Sequence, residues 1–276
     1  MFKSMQSICG LSQEMLSGVT CILTDIDDTI TTHGRLSAHV YAALESLQQA
    51  GLRVIPITGR PAGWCDLIAR LWPVDGVVGE NGAFYMRYDH SRCRMKVHHV
   101  LSDEQRRINR ARLDTLAKKI LADVPGCALA SDQDFRVADL AVDFCEDVPP
   151  LPPEAITRIT DLFHAAGAQA KVSSIHVNGW FGDHDKLTTT RLFLKRELDM
   201  ADGEMQRAIL FAGDSPNDSP MFAHFALTVG VANVRRYESM MHYMPRFITD
   251  GESGHGFAEL VRHILQKKGR VYVRGL

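Results

Sequence analysis

Clusters of carboxylates, a hydroxyl and a lysine follow apolar runs at widely separated places in this 276-residue chain, and together they are equipped to move a phosphoryl group. The run 19–24 releases Asp25-Ile26-Asp27-Asp28-Thr29, the run 52–57 releases Thr58-Gly59-Arg60, Lys186 opens a helical stretch, and the run 208–212 releases Gly213-Asp214-Ser215-Pro216-Asn217-Asp218. Carboxylates gathered in one dry crevice repel each other unless a cation or a proton offsets them. Oxygen ligands without His or Cys favour Mg²⁺, which keeps waters and binds through a few carboxylates and a substrate phosphate. A phosphate held beside an Asp is open to in-line attack that yields an aspartyl-phosphate. A second carboxylate two residues on can protonate the leaving oxygen and afterwards activate water. Thr58 and Lys186 offer a hydroxyl and a fixed positive charge to the phosphoryl oxygens, whose charge must be stabilised through the transition state.

These groups need elements that bring them to one place. Val19-Thr20-Cys21-Ile22-Leu23-Thr24 is short, apolar and β-prone, as a buried parallel strand is. Ser37 is a plausible N-cap for a helix carrying Val40, Leu44 and Leu47, Gly51 sits where it would stop, and the strand 52–57 follows. Strand, helix and strand in this order, about 30 residues from tip to tip, fit a right-handed βαβ unit. Pro56 removes a ladder hydrogen bond, so it belongs near the end of its strand. Pro61 then opens a helix with Trp64, Leu67, Ile68 and Leu71, and Gly76-Val77-Val78 begins a third strand. Ligands of open parallel sheets bind beyond the carboxyl ends of the strands, where the polar clusters of this chain fall.

From Phe84 the pattern changes. Strand-like stretches at 84–88 and 96–101 flank a polar turn, a basic helix starts at Ser102-Asp103-Glu104, and a strand is expected near 136–144. Prolines at 149, 150, 152 and 153 introduce a helix over 154–166, and one strand is expected over 170–178, with His176, Asn178 and Trp180 alternating on it. Core-like sequence resumes with a helix over 186–198, strands at 208–212 and 226–229, and a last helix over 257–266; the glycine-rich 251–256 reads as a flexible loop at the crevice rim. The expected fold is α/β, a doubly wound, Rossmann-like parallel sheet at 1–84 and 180–276, with an inserted α+β cap at 85–179.

The ordered set DIDDT (25–29), ITGR (57–60), Lys186 and GDSPND (213–218) resembles the four motifs of haloacid dehalogenase-like hydrolases. An insert between the second and third motifs is similar to the subfamily with a large α/β cap, IIB or Cof-type, which includes sugar phosphatases. The resemblance implies Asp25 as nucleophile and metal ligand, and Asp27 as general acid and base that also binds metal through its carbonyl. It implies Asp214 as a further ligand and Asp218 as a ligand or its support. Thr58, Gly59, Lys186 and Asn217 are implied on the phosphate, with Asn217 and Asp218 orienting the lysine and the metal-bound waters. The chain departs from the pattern at Leu187 and Asp28, where relatives often carry Gly. The expectation is a Mg²⁺-dependent phosphomonoesterase acting on a small phosphorylated metabolite, foremost a sugar phosphate. Alternatives are a phosphotransferase or mutase on the same fold, or a non-catalytic phosphosugar-binding regulator; Asp27 disfavours dehalogenation, since an acid suits an oxygen leaving group.

Composition narrows the partners. Lys+Arg 31 against Asp+Glu 33, a net charge of −2, is no footprint for a phosphate backbone, so nucleic acid is not expected. No stretch approaches the roughly 20 apolar residues that span a bilayer, and the N-terminal stretch lacks a secretory core, so no membrane partner is expected and the compartment reads as cytoplasmic. The six cysteines form no CxxC pair and read as free thiols. His98-His99 and the pair His176 with His184 show no metal-ligand spacing and read as surface or substrate-contact residues. Oligomeric state has no sequence signal.

Overall fold

Strands buried on both faces need near-continuous apolar runs, and the runs of this chain become the middle of a parallel sheet. In the computed structural model, which describes residues 5–173 and 175–271, β1 (Gln6–Ser7) is followed by the short helix α1 (Gln13–Ser17), then β2 (Cys21–Thr24), α2 (Ala38–Gln49), β3 (Arg53–Pro56), α3 (Ala62–Leu71) and β4 (Val77–Gly79). The hairpin β5 (Phe84–Asp89) and β6 (Arg94–His99) comes next, then α4 (Asp103–Asp123), β7 (Ala128–Leu129), β8 (Leu140–Asp143), α5 (Pro153–Ala165), β9 (Gln169–Val172) and β10 (His176–Trp180). The chain returns through α6 (Lys186–Leu198), α7 (Asp202–Ala208), β11 (Ile209–Gly213), α8 (Ser219–His224), β12 (Leu227–Gly230), β13 (Phe247–Ile248) and α9 (Ser253–Lys267).

The main sheet has the order β1-β13-β12-β11-β2-β3, with every pairing parallel. In register, Thr24 lies between Ala212 and Pro56, so the residues that follow all three strands emerge side by side. Pro56 is the last residue of an edge strand, where a missing amide costs least. β4 adjoins this edge through the Thr58 amide, which donates to Val78 O at 2.9 Å. Helices cover both faces: Val40, Leu44, Leu260 and Ile264 pack with Ile22, Val54 and Leu210 in one cluster, and Phe193, Leu194 and Phe222 pack with Leu23, Ile55 and Phe211 in another. The alternation along each strand is what a doubly wound sheet demands.

The insert has its own four-stranded antiparallel sheet, β7-β8-β10-β9, on which Leu113, Leu116, Ile120, Ile159 and Phe163 of α4 and α5 form a third cluster. The expected changeover at residue 85 falls inside the β4-β5-β6 meander. Phe84 and Met86 join the first cluster and Tyr85 the second, so this hairpin extends the core and the separate cluster begins at Leu113. Burial on alternate faces of β5 is the reason.

Three local expectations are corrected. The strand expected over 170–178 is the hairpin β9–β10, because Ser173 Oγ accepts the amides of Ile175 and His176 at 3.3 and 2.9 Å and turns the chain; Ser174 lies outside the described residues, as do 1–4 of the N-terminal stretch. Residues 136–139, expected to be part of a strand, precede β8 as a bent segment whose successive amides converge on a core carboxylate. The loop expected at 251–256 is largely the first turn of α9: Gly254 and Gly256 are buried, and a Cβ on Gly256 would stand 2.2 Å from Gly251 O. Among the described residues no helix is long and apolar enough to cross a membrane.

The insert core is tight at one point. A Cβ on Gly179 of β10 would lie 2.1 Å from the Phe163 ring, with fully buried neighbours on α5. Gly179→Ala is expected to destabilise the protein by about 1–3 kcal/mol through overpacking, measured as a fall in the urea midpoint; an unchanged midpoint would show that α5 moves freely on the sheet.

Candidate active site

The carboxyl ends of β2 and β11 set Asp25 against the turn that holds Asp214 and Asp218. The Asp25 amide donates to Ala212 O at 2.9 Å, which continues the ladder past the last paired residue. One oxygen each from Asp25, Asp214 and Asp218 lie within 4.8 Å of one another, and all three residues are buried. Lys186 is the first residue of α6, a helix started by a capping box between Asp185 and Thr188. Its Nζ lies 2.6 Å from Asp25 Oδ1 and 3.0 Å from Asp218 Oδ1. Asp218 turns its other oxygen to the amides of Asp214 and Ser215, at 3.0 and 3.3 Å. Asp214 accepts from Thr29 Oγ1 at 3.0 Å and from Asn233 Nδ2 at 3.1 Å.

Burial pushes the Asp25 carboxyl up to about 8; Lys186 pulls it down, while Asp218 and Asp27 push it further up. Burial, Asp25 and Asp218 drive Asp214 well above the carboxylate range. Burial works against the charge on Lys186, but Asp218 and Asp25 outweigh it and keep the ammonium protonated. Three buried carboxylates thus share one buried ammonium, a deficit of positive charge that a hard divalent cation offsets. The all-oxygen donor set fits Mg²⁺, with Asp25 and Asp214 presenting oxygens and Asp218 already committed to Lys186 and two amides.

Asp27 points to different company. Arg60 Nε donates to both of its oxygens at 3.0 and 3.1 Å, and Arg60 Nη2 lies 3.1 Å from Glu146 of the insert. Arg60 Nη1 lies 3.6 Å from Asp132, and the guanidinium sits 4.4 Å over the Trp64 ring. Glu146 also meets His176 Nε2 at 2.9 Å; this contact, opposed by burial and helped by Arg60, pulls the Glu146 carboxyl down to about 2. Core and insert therefore close on each other through charge. The cleft between them holds only about 20 Å³ and is lined by Asp25, Asp27, Gly59, Asn217, His176 and Asn178 among others.

A second contact joins the two parts. Glu80 is fully buried and its carboxylate accepts the amides of Ala62, Val137, Ala138 and Asp139 at 2.7–3.2 Å. It stands at φ 43°, followed by Asn81 at 53° and Gly82 at 105°, so the chain crosses left-handed space where only the last residue is at ease. Arg136 beside it binds Asp132 and Asp139 and donates to Gly59 O at 2.9 Å.

The sequence-predicted residues are thus distributed unevenly. Asp25, Lys186, Asp214 and Asp218 meet directly, and Asp27 lies beside them on Arg60. Thr58 is fully buried, its Oγ1 accepting the Arg60 amide at 3.0 Å, while Gly59 faces the cleft. Asn217 also lines the cleft, but its Oδ1 accepts from Ser215 Oγ at 2.8 Å; the lysine is oriented by Asp25 and Asp218 instead, whose charges bind it more strongly. Asp28 takes φ 55°, the conformation that a glycine adopts freely, and its carbonyl accepts from Asn233. His184 stacks on Trp180, and His98 and His99 pack on Tyr85 and Phe84, away from the cleft-lining set. Sequence reading missed Asn233 and Glu146, for which there was no signal, and passed over Arg60 although it ends a quoted motif.

Comparison places this geometry among known proteins. Residues 22–110 match a family model described as haloacid dehalogenase-like hydrolase. Protein 0175 of Thermoplasma acidophilum superposes with a TM-score of 0.67 at 18% identity, over 89% of this chain and 98% of that one. A haloacid dehalogenase-like hydrolase from Bacteroides thetaiotaomicron gives 0.61 at 16%, over 89% and 99%. The sucrose-phosphatase of Synechocystis, solved with sucrose and phosphate, gives 0.58 at 17%, over 88% and 97%. At these identities the likeness is one of fold. No curated protein matches the chain.

Proposed function

We propose that the chain is a haloacid dehalogenase-like hydrolase, as the match of residues 22–110 supports, and a Mg²⁺-dependent phosphomonoesterase for a small phosphorylated metabolite, foremost a sugar phosphate. The observation that carries this reading is the buried carboxylate cluster at one strand tip, with Lys186 on Asp25 and a second acid, Asp27, at the cleft. The sugar end of the reading draws on the sucrose-phosphatase that shares the fold.

Asp25 Oδ attacks phosphorus in line; the bond from phosphorus to the ester oxygen breaks, and that oxygen takes its proton from Asp27. Water then attacks the aspartyl-phosphate, gives its proton to the Asp27 carboxylate, and releases inorganic phosphate with Asp25 restored. Asp25, Asp214 and the Asp27 carbonyl, with Asp218 in support, would hold Mg²⁺, which would supply positive charge to the phosphoryl oxygens. Lys186 holds the same oxygens from the protein side, with Thr58, Gly59 and Asn217 shaping the turns around them.

Ordinary ligand pockets run to roughly 300–1,000 Å³, so a cleft of about 20 Å³ admits substrate only after the insert swings away. We take the insert as a cap on this ground. Opening separates Glu146 from Arg60, and closing excludes water at the first step. Arg60 grips Asp27 in the closed cleft and must release it for the proton transfer.

The test is inorganic phosphate release from a panel of sugar phosphates and a chromogenic aryl phosphate, with Mg²⁺ and with EDTA. Release that EDTA abolishes and Mg²⁺ restores is expected. Equal release under both conditions would remove the metal from the reading, and transfer to an added sugar without free phosphate would favour a phosphotransferase.

A further inference from the structure

Among the described residues, the positive charges facing the cleft are spoken for, with one exception. Lys186 is held by Asp25 and Asp218, Arg60 by Asp27, Glu146 and Asp132, and Arg136 by Asp132 and Asp139. Lys171 also lines the cleft, yet among the described residues no carboxylate pairs with it. It stands on β9 directly opposite Asn178 of β10, so the two side chains share one face of the insert sheet. Ser173, two residues on, and His176 line the same cleft, and β9 runs against the turn Pro216–Asp218.

Resting on the phosphatase reading, we propose that the substrate carries a second anionic group besides the phosphoryl group, and that Lys171 binds it. The acids around the cleft explain why this position matters. Asp27, Glu146, Asp132 and Asp139 are neutralised by arginines that they hold in place, so among the described residues no other lysine or arginine lining the cleft is left free for an anion. A neutral polyol would be served by Asn178, His176 and Ser173 through hydrogen bonds and would leave the ammonium without a partner. A carboxylate or a second phosphate gives it one, as a charge-assisted hydrogen bond at the mouth of the cleft, where Lys171 is exposed and reachable. Both groups present the same chemistry to a lysine, which acts as a point charge and does not discriminate planar from tetrahedral anions.

Matched pairs test this with Mg²⁺ present: glycerol phosphate against phosphoglycerate, and hexose monophosphate against hexose bisphosphate, on wild type, Lys171→Met and Lys171→Arg. The expected result is a preference of about 10- to 100-fold in kcat/KM for the doubly anionic member of at least one pair, the size of a charged hydrogen bond. Which pair shows it tells carboxylate from phosphate. Lys171→Met should collapse the preference by raising KM for that member, and Lys171→Arg should restore part of it. Binding is read separately by calorimetry on Asp25→Asn, alone and combined with Lys171→Met. A preference in binding that is lost with the lysine, but no turnover of any compound by wild type, would overturn the phosphatase reading and leave Lys171 in its role. Turnover with equal use of both members of both pairs, or a loss on Lys171→Met that is the same for both members, would overturn the role of Lys171.

Discussion

Asp25→Asn should lower phosphate release by on the order of 10⁴-fold or more and leave the fold at least as stable as wild type. The amide keeps the shape of the side chain but cannot form the acyl phosphate, so the two-step route is closed. Stability should respond in the opposite sense. Burial raises the Asp25 carboxyl from 3.8 to about 8, so the folded state holds this proton more tightly than the unfolded chain. Ionised Asp25 therefore subtracts from stability as pH rises from about 4 towards 8. Replacing it by a neutral amide removes that penalty at pH 7, and Lys186 keeps Asp218 as its partner. Phosphate release and urea unfolding in EDTA, measured on the same preparation, check both halves. A variant that keeps a tenth of wild-type turnover would rule out Asp25 as nucleophile, whereas lost activity with an equally lost fold would give the residue a structural role instead.

Glu80→Ala is expected to cost about 3–5 kcal/mol, since it removes a buried charge that others are arranged around. Four amides, one from α3 and three from residues 137–139, end on this carboxylate. Burial and the neighbouring Asp139 push Glu80 up to about 7, and the amides and Arg136 counter them. Its removal also frees a turn that holds Glu80 and Asn81 at positive φ. In a chain of this size the loss corresponds to a fall in Tm on the order of 10 °C. A fall of less than 2 °C would mean that water replaces the carboxylate at no cost and that the joint between core and insert is not closed by Glu80.

The order of the polar clusters was sufficient to place the chemistry. Residues that follow the parallel strands of one sheet emerge at one edge, so Asp25, Thr58 and Asp214 could be assigned to a single crevice without coordinates, and the resemblance added Lys186. Helices with periodic apolar faces, such as 38–49, were legible for the same reason: their pattern is local. What stayed hidden was set by contacts across the chain. Asp27 meets Arg60, which meets Glu146 86 positions away, and Glu80 receives amides from 57 to 59 positions on. No period in the sequence connects such residues. The hairpin at 84–99 could be read as insert or core until its two faces found the two clusters. Sequence alone determined which groups are equipped for chemistry and at which strand ends they stand, because strand direction and side-chain type are local properties. The tertiary structure decided which acid each cation holds and which cleft-lining lysine has no carboxylate partner among the described residues, because pairing depends on distance and burial between segments that only the packed sheet and its insert bring together.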